Sequence, residues 1–377
     1  MQSMHRTTAN TPCEVPARPC RANAQVGLLN LGNTCYINTL LQCLYCCKYL
    51  RKFLTKYSHE TSDLYTSLKT LFANMAECTT HVISPRPFLI TASKYLEKSM
   101  FLYEQNDITE FYSLLVDKLN ISISHTAPEL TALQFMDRIN YNATQTSYNK
   151  LRFKMEMKWY NHMRKEMSKI CPFMYGQTIT QIECGHCGKT HHNGELFTSL
   201  ALPIPTAPPD TSKATTLAQS QPPSMPLALT LLDCIAKHFE QHTVNNPTEE
   251  DKWTCDACKQ QAQSTQLSYI WKAPPILALS LKRFAFTPRP IKHNDPIHAP
   301  DTMDLSTYIL SRESSTKYRL RAVAMHFGSF FGGHYVAMVN QKEKWYVVDD
   351  DSVCEVDNPI DIIATKGYMF FYERVGL

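Results

Sequence analysis

Residues 27–44 read GLLNLGNTCYINTLLQCL, and the chain changes character there. Residues 1–25 mix Pro, Thr and Arg without periodicity and are expected to form a flexible tail. Asn33 or Thr34 can cap a helix, and Ile37, Leu40, Leu41 and Leu44 follow at helical spacing. Cys35 therefore falls in the first turn of that helix or just before it. The positive end of a helix dipole favours a thiolate, the form of cysteine that attacks carbonyl carbon. Gly32 lets the backbone turn tightly before the helix, and Asn30 supplies an amide donor of the kind that holds an oxyanion. A cysteine at a helix start is a weak signal by itself, because most cysteines only fill cores.

A second constellation lies near the other end of the chain. His334 opens an apolar run in FGGHYVAMVN, and Asp349 closes the next run in KWYVVDDDS. Two glycines before the histidine leave room for a substrate backbone. An acid ending the neighbouring strand can reach back and orient the imidazole. An isolated histidine is more often just hydrogen-bonded, and three consecutive Asp more often mark a solvated turn. Cysteine, histidine and acid in this order, the last two on consecutive strands, form a combination that chance rarely supplies.

Four further cysteines form two C-x-x-C pairs, Cys184-Gly-His-Cys187 and Cys255-Asp-Ala-Cys258. Four thiolates suit a closed tetrahedral zinc site. Reduced core thiols and a redox pair are the other readings, the latter lacking a thioredoxin-like context. His186, His191 and His192 are competing ligands.

The 377 residues carry 44% hydrophobic and 11% aromatic side chains, enough for a large core. Lys+Arg exceed Asp+Glu by 38 to 34, too small and too dispersed an excess to argue for nucleic acid. No apolar run reaches the ~18–20 residues of a membrane span, and the N-terminus lacks a signal peptide. Fourteen cysteines without an export signal point to a reducing, intracellular setting, cytoplasm and/or nucleus, where the sequons at Asn120 and Asn142 are chance matches.

Helices are expected over Asp107 to Leu119, with Asp107 as N-cap and Glu110 completing a capping box, around Met155 to Lys169, and near Leu231 to Phe239. Residues 206–226, crowded with Pro, Ser and Thr, read as a disordered surface insert. From Leu267 onward short runs rich in β-branched and aromatic residues predict an antiparallel sheet. Helices first and strands after give an α+β class.

These motifs, in this order, resemble the ubiquitin-specific protease family. GLLNLGNTCYINTLLQCL looks like its Cys box, and GGHYVAMV with WYVVDDDS like its His box. EQNDITEFYSLLVDKL is similar to its Gln-Gln-Asp box, and FMYGQTITQIECGHCG and WTCDAC to its zinc knuckles. ELFTSLALPIP, APPILALSLKRFAF and GYMFFYER also look like family segments. The resemblance implies a papain-like cysteine protease with a fingers-palm-thumb architecture over residues 26–374, the thumb about 26–170, the fingers and palm about 171–374. It implies hydrolysis of the bond after the C-terminal Gly of ubiquitin.

Carried over by position, Cys35 is the nucleophile, His334 the base and acid, Asp349 its orienter and Asn30 the oxyanion donor, with Asp350 as a neighbouring polar group. Gln105, Asp107, Gly332, Gly333, Tyr335 and Asp350 are implied substrate contacts. Cys184, Cys187, Cys255 and Cys258 are implied ligands of a structural Zn2+. Implied partners are ubiquitin, ubiquitinated proteins and a regulatory protein, with no nucleic acid and no membrane. Asn106 stands where the family often has Gln, and Met338 where it often has an aromatic residue. An inactive ubiquitin-binding homologue, a protease for another ubiquitin-like modifier and a zinc-dependent nucleic-acid module are the competing readings.

Overall fold

A computed structural model describes residues 18–19, 25–56, 62–78, 80–96, 105–123, 147–165, 168–205, 228–245, 252–286, 289–311 and 315–376. The insert at 206–226, the sequon at Asn142 and nearly all of the N-terminal tail lie outside them. Among the described residues the helices are α1 (Cys35–Cys46), α2 (Lys48–Lys56), α3 (Asp63–Glu77), α4 (Arg86–Tyr95), α5 (Ile108–Ser122), α6 (Ser147–Lys165), α7 (Cys171–Met174), α8 (Leu231–His238) and α9 (Ile360–Lys366). None is long and apolar enough to cross a membrane.

The strands, in chain order, are β1 (Arg18–Pro19), β2 (Gly27–Leu28), β3 (Val82–Ile83), β4 (Gly176–Glu183), β5 (Thr190–Phe197), β6 (Ser199–Leu202), β7 (His242–Val244), β8 (Ser264–Lys272) and β9 (Ile276–Leu281). They continue as β10 (Phe284–Phe286), β11 (Pro290–Lys292), β12 (Thr302–Asp304), β13 (Lys317–Ser329), β14 (Gly332–Gln341), β15 (Lys344–Asp349), β16 (Ser352–Val356) and β17 (Gly367–Arg374). Among the described residues a nine-stranded sheet runs β1-β16-β15-β14-β13-β17-β9-β6, with β12 paired to β13, and a four-stranded sheet runs β5-β4-β8-β7.

The large sheet is apolar on both faces, so its strands show how pleating divides the core. On β13, Ala322 and Ala324 enter one apolar cluster, whereas Val323 and Met325 enter the other. On β17, Met369 and Phe371 go to the first and Phe370 and Tyr372 to the second. The first cluster is roofed by α1, all twelve residues of which are buried. Hiding a helix on every side requires few charges, and CYINTLLQCLYC has none. Truncating Leu40 or Leu41, both fully buried, to Ala is expected to cost about 2–5 kcal/mol. Met338 faces the second cluster, away from α1.

Several expectations need correction. Strands are not confined to the chain after Leu267: short ones lie at Arg18–Pro19, Gly27–Leu28 and Val82–Ile83 and longer ones from Gly176, and the large sheet is not wholly antiparallel, because β6 pairs with β9 in parallel. Helix α6 starts at Ser147, well before Met155. Asp107 caps α5 through the Thr109 N–H at 2.7 Å, and the reciprocal capping box forms instead between Thr230 and Asp233 at α8. Asn120 is buried and accepts from the Ser168 N–H at 2.7 Å, which leaves no room for a glycan. Cys35, Cys43, Cys46, Cys47, Cys78, Cys171 and Cys234 are free thiols.

Arg283 joins the layers. It is fully buried, and its guanidinium donates to the carbonyls of Gly367, His293, Asp295 and Ala364. A buried cation with its donors satisfied by carbonyls avoids the penalty of an orphaned charge.

Candidate active site

Cys35 is the first residue of α1 and is only 4% exposed. Thr34 occupies the N-cap but gives no side-chain cap. Its Oγ1 instead accepts from the Leu31 N–H at 3.0 Å and donates to Asn30 Oδ1 at 3.1 Å. Asn30 Oδ1 also accepts from the Gly32 N–H at 2.9 Å. With its carbonyl side held by this turn, the Asn30 amide turns its Nδ2 toward Asp350 Oδ2, 2.7 Å away. The turn needs left-handed backbone at Gly32 (φ 104°) and Asn33 (φ 49°), residues that adopt it most readily.

His334 and Asp349 arrive from the sheet. β14 pairs with β15, and Asp349 ends β15 where the ladder turns into β16. His334 Nε2 lies 2.5 Å from Asp349 Oδ1, leaving Nδ1 to meet the thiol of Cys35. The Asp349 hydrogen bond, and after it that to Cys35, pushes the imidazolium up to about 10. A protonated His334 beside Cys35 is an acid ready to protonate a leaving amine.

Asp350 follows in left-handed backbone (φ 50°), and its carbonyl accepts from the Leu28 N–H at 2.8 Å. Its carboxylate takes Asn30 on one oxygen and Asn38 Nδ2 on the other, at 2.8 Å. Burial raises its pKa, and the two amides oppose that. Asn38, absent from the sequence-based candidates, also donates to the Leu28 and Leu29 carbonyls, both at 3.3 Å. Its partners come from distant segments, so no local pattern announces it.

A cleft of about 450 Å³ runs from Cys35 between α5 and the β13–β14 turn, and Gln105, Asp107, Gly332, Gly333 and Tyr335 all line it. Asp107 also accepts from the hydroxyls of Tyr335 (3.4 Å) and Tyr368 (2.7 Å), so much of its acceptor capacity is used internally. Gln105 Oε1 accepts from the Gly333 N–H at 3.4 Å. Gly333 lacks a side chain for the protein's own sake: a Cβ there would stand 2.3 Å from the Phe327 carbonyl and 2.4 Å from His326 Nε2. His326 is buried under the cleft with Lys292 Nζ 2.9 Å from its Nδ1, and burial, then Lys292, pull its pKa down to about 4. Phe331 stands on the rim, 84% exposed. Tyr368, His326, Lys292 and the Phe330–Phe331 pair were not foreseen. The aromatic doublet beside the two glycines was the available signal.

At the far end of the four-stranded sheet the two C-x-x-C pairs converge. All four Sγ atoms lie within 4.8 Å of one another, with Cys184 and Cys258 3.8 Å apart and Cys187 and Cys255 3.7 Å apart. A tetrahedron with metal–sulfur bonds of about 2.3 Å has edges of about 3.8 Å, so the set fits a zinc-sized ion. The knuckles share one design. The Gly188 N–H donates to the Cys184 carbonyl and the Lys259 N–H to the Cys255 carbonyl, both at 2.8 Å, and both residues are left-handed (φ 66° and 60°). Backbone N–H groups at Cys187 and His186 lower the pKa of the Cys184 thiol, favouring the thiolate. His191 Nε2 lies 3.2 Å from Cys255 Sγ, beside the set rather than in it.

Comparison with known proteins agrees with this geometry. Residues 26–372 match the model of the ubiquitin carboxyl-terminal hydrolase family. Ubiquitin carboxyl-terminal hydrolase 21 of Bos taurus is 28% identical over 371 residues, covering 93% of this chain and 62% of that protein. Probable ubiquitin carboxyl-terminal hydrolase 4 of Schizosaccharomyces pombe is 28% identical over 383 residues, covering 93% of this chain and 59% of that protein. The chain thus spans roughly three fifths of the length of these relatives. A solved structure of the SAGA DUB module, Ubp8 with Sgf11, Sus1 and Sgf73 bound to monoubiquitin, superposes with a TM-score of 0.66 at 17% identity, covering 97% of this chain and 73% of that one. The fold is therefore the papain-like one.

Proposed function

Because the chain belongs to the ubiquitin carboxyl-terminal hydrolase family, we propose that it cleaves the isopeptide or peptide bond after the C-terminal Gly of ubiquitin on conjugated proteins or chains. The observation that carries this reading is the line Cys35–His334–Asp349 at the mouth of a cleft with Gly332 and Gly333 on its wall. The cleft suits an extended tail of small residues better than a bulky side chain.

In the proposed reaction the Cys35 thiolate adds to the carbonyl carbon of the terminal glycine. The oxyanion takes an N–H from Asn30 Nδ2, whose orientation Asp350 fixes. The His334 imidazolium gives its proton to the departing lysine amine as the C–N bond breaks, leaving a thioester on Cys35. Water then loses a proton to His334 and adds to the thioester. The C–S bond breaks, the ubiquitin acid ionises to solvent, and the thiolate–imidazolium pair is restored. Asp349 keeps the imidazole in the tautomer and orientation that both steps need.

Residues 26–374 form the catalytic domain in this reading. The thumb is built from α1 to α6, the palm from the large sheet and the fingers from the four-stranded sheet. Cys184, Cys187, Cys255 and Cys258 hold Zn2+, which cross-links the two finger hairpins at their tips. Gln105, Asp107, Gly332, Gly333 and Tyr335 meet the substrate tail. Partners are ubiquitin, its conjugates and a regulatory protein, and the setting is the cytoplasm and/or nucleus. The test is hydrolysis of fluorogenic conjugates of ubiquitin, a SUMO-type and a NEDD8-type modifier. Turnover of ubiquitin alone supports the proposal. Turnover of another modifier alone would move it to that modifier, and no turnover of any would favour an inactive binding protein.

A further inference from the structure

At the end of α1 opposite Cys35 the surface carries concentrated positive charge that the proposed chemistry does not use. A cavity of about 240 Å³ is lined by Lys48, Lys52, Arg319, Arg321 and Arg374 around one carboxylate, Glu373. That carboxylate is already committed: Glu373 is 2% exposed, accepts the Tyr49 N–H at 2.9 Å at the start of α2, and pairs with Arg321 Nε at 3.1 Å. Lys48 and Lys52 are exposed, and among the described residues neither has a carboxylate within ion-pair distance. Arg319, by contrast, is held between Asp301 at 3.9 Å and Glu343 at 3.5 Å.

The charge continues along α2. A neighbouring depression of about 530 Å³ shares Lys48 and Lys52 and adds Arg51 and Lys56. Lys48, Lys52 and Lys56 recur every four residues and therefore share one helix face, a row about 12 Å long at 1.5 Å per residue. Arg51 lays its guanidinium over the Tyr45 ring, 5.0 Å from the centroid.

We propose that this groove, from Lys48 along α2, docks an acidic linear segment, rich in Asp and Glu, of a partner or conjugated protein. Discrete carboxylates spaced along an extended strand can match Lys48 and Lys52, the exposed cations of the helix row that have no carboxylate partner among the described residues. The surroundings favour a short polypeptide over other polyanions. Glu343 and Asp301 flank Arg319 and close that end, which repels a continuous phosphate backbone but not a segment that stops short. Large apolar side chains of α2, Leu50, Phe53 and Leu54, are buried, so the helix has no face to insert into lipid. Helix α1, twelve residues and so about 18 Å long, separates Cys35 from Lys48 at the near end of the groove, so the groove can select what is presented without touching the reacting atoms.

The test is fluorescence anisotropy of a fluorescein-labelled Asp/Glu peptide of about six residues, long enough to span about 20 Å. It is titrated with the full chain, with Lys48→Glu/Lys52→Glu and with the milder Lys48→Gln/Lys52→Gln. Binding by the unmodified chain that weakens with salt, and weakens at least about tenfold in both variants, is the expected result. Equal binding by all three proteins, or none by the unmodified chain, would overturn the proposal. So would tighter binding of single-stranded DNA or phosphatidylserine vesicles lost in the same variants. Hydrolysis of a ubiquitin conjugate is not the readout, so the outcome stands whether or not the proposed activity does.

Discussion

Asp350 Oδ2 accepts a hydrogen bond from Asn30 Nδ2 at 2.7 Å, tying the turn before the nucleophile to the turn after the acid. The two residues are 320 positions apart in sequence, yet the bond decides which way the Asn30 amide faces. Its other carboxylate oxygen is held by Asn38, so the amide is aimed by a chain of three side chains.

That chain predicts a kinetic signature. Asp350→Ala frees the Asn30 amide to rotate, so kcat on a ubiquitin conjugate is expected to fall about 10–100-fold while KM changes little. Steady-state kinetics check it. A raised KM with unchanged kcat would make Asp350 a binding residue instead.

The thiol cluster predicts a metal content. Elemental analysis of the purified chain is expected to give about one zinc per chain, and Cys184→Ser/Cys258→Ser to give almost none with a lower melting temperature. Unchanged zinc in the double variant would remove these four thiols as the ligand set.

His326 predicts acid sensitivity. Its folded pKa of about 4 lies below the ordinary 6.5, so between those values the unfolded chain binds more protons and stability falls as pH falls. The contribution is whole above about pH 6.5 and lost toward pH 4, at most about 3 kcal/mol. Lys292, Asp107 and His334 act on the same imidazole, with Lys292 and His334 lowering its pKa and Asp107 raising it. Denaturant melts from pH 7 to 4 should show a steeper loss in the unmodified chain than in His326→Gln. Parallel curves would contradict this.

Gly333 predicts a steric effect beside the catalytic histidine. Gly333→Ala drives a methyl group against the Phe327 carbonyl and His326 ring, and the shift passes directly to His334. A misplacement of the order of 1 Å costs about 100-fold in rate, so kcat/KM should drop by at least that factor. Near-normal activity would mean that β14 gives way without moving His334.

Much of the site was legible because its parts sit in distinctive local contexts. Cys35 opens an uncharged helical pattern, His334 follows a glycine pair, and the knuckles repeat a spacing that metal geometry demands. Asn38 was not legible, since one face of a helix says nothing about an acid on a strand far away. The β4–β5 hairpin was missed for another reason. THHNGELF mixes exposed and half-buried positions with only Gly194 buried, so it lacks the apolar signal that betrays β9, where ILALSL is wholly buried. The cap at Asp107 formed through Thr109 because the next acceptor, Oδ2, serves Tyr335 and Tyr368.

The central claim is that Cys35 attacks the carbonyl at the end of ubiquitin. Ubiquitin carrying a thiol-reactive group at its C-terminus, incubated with the chain and read by intact mass and peptide mapping, tests it most directly. The account predicts one ubiquitin per chain, attached at Cys35 and absent in Cys35→Ala. Labelling that persists in Cys35→Ala, or maps to another cysteine, would contradict it.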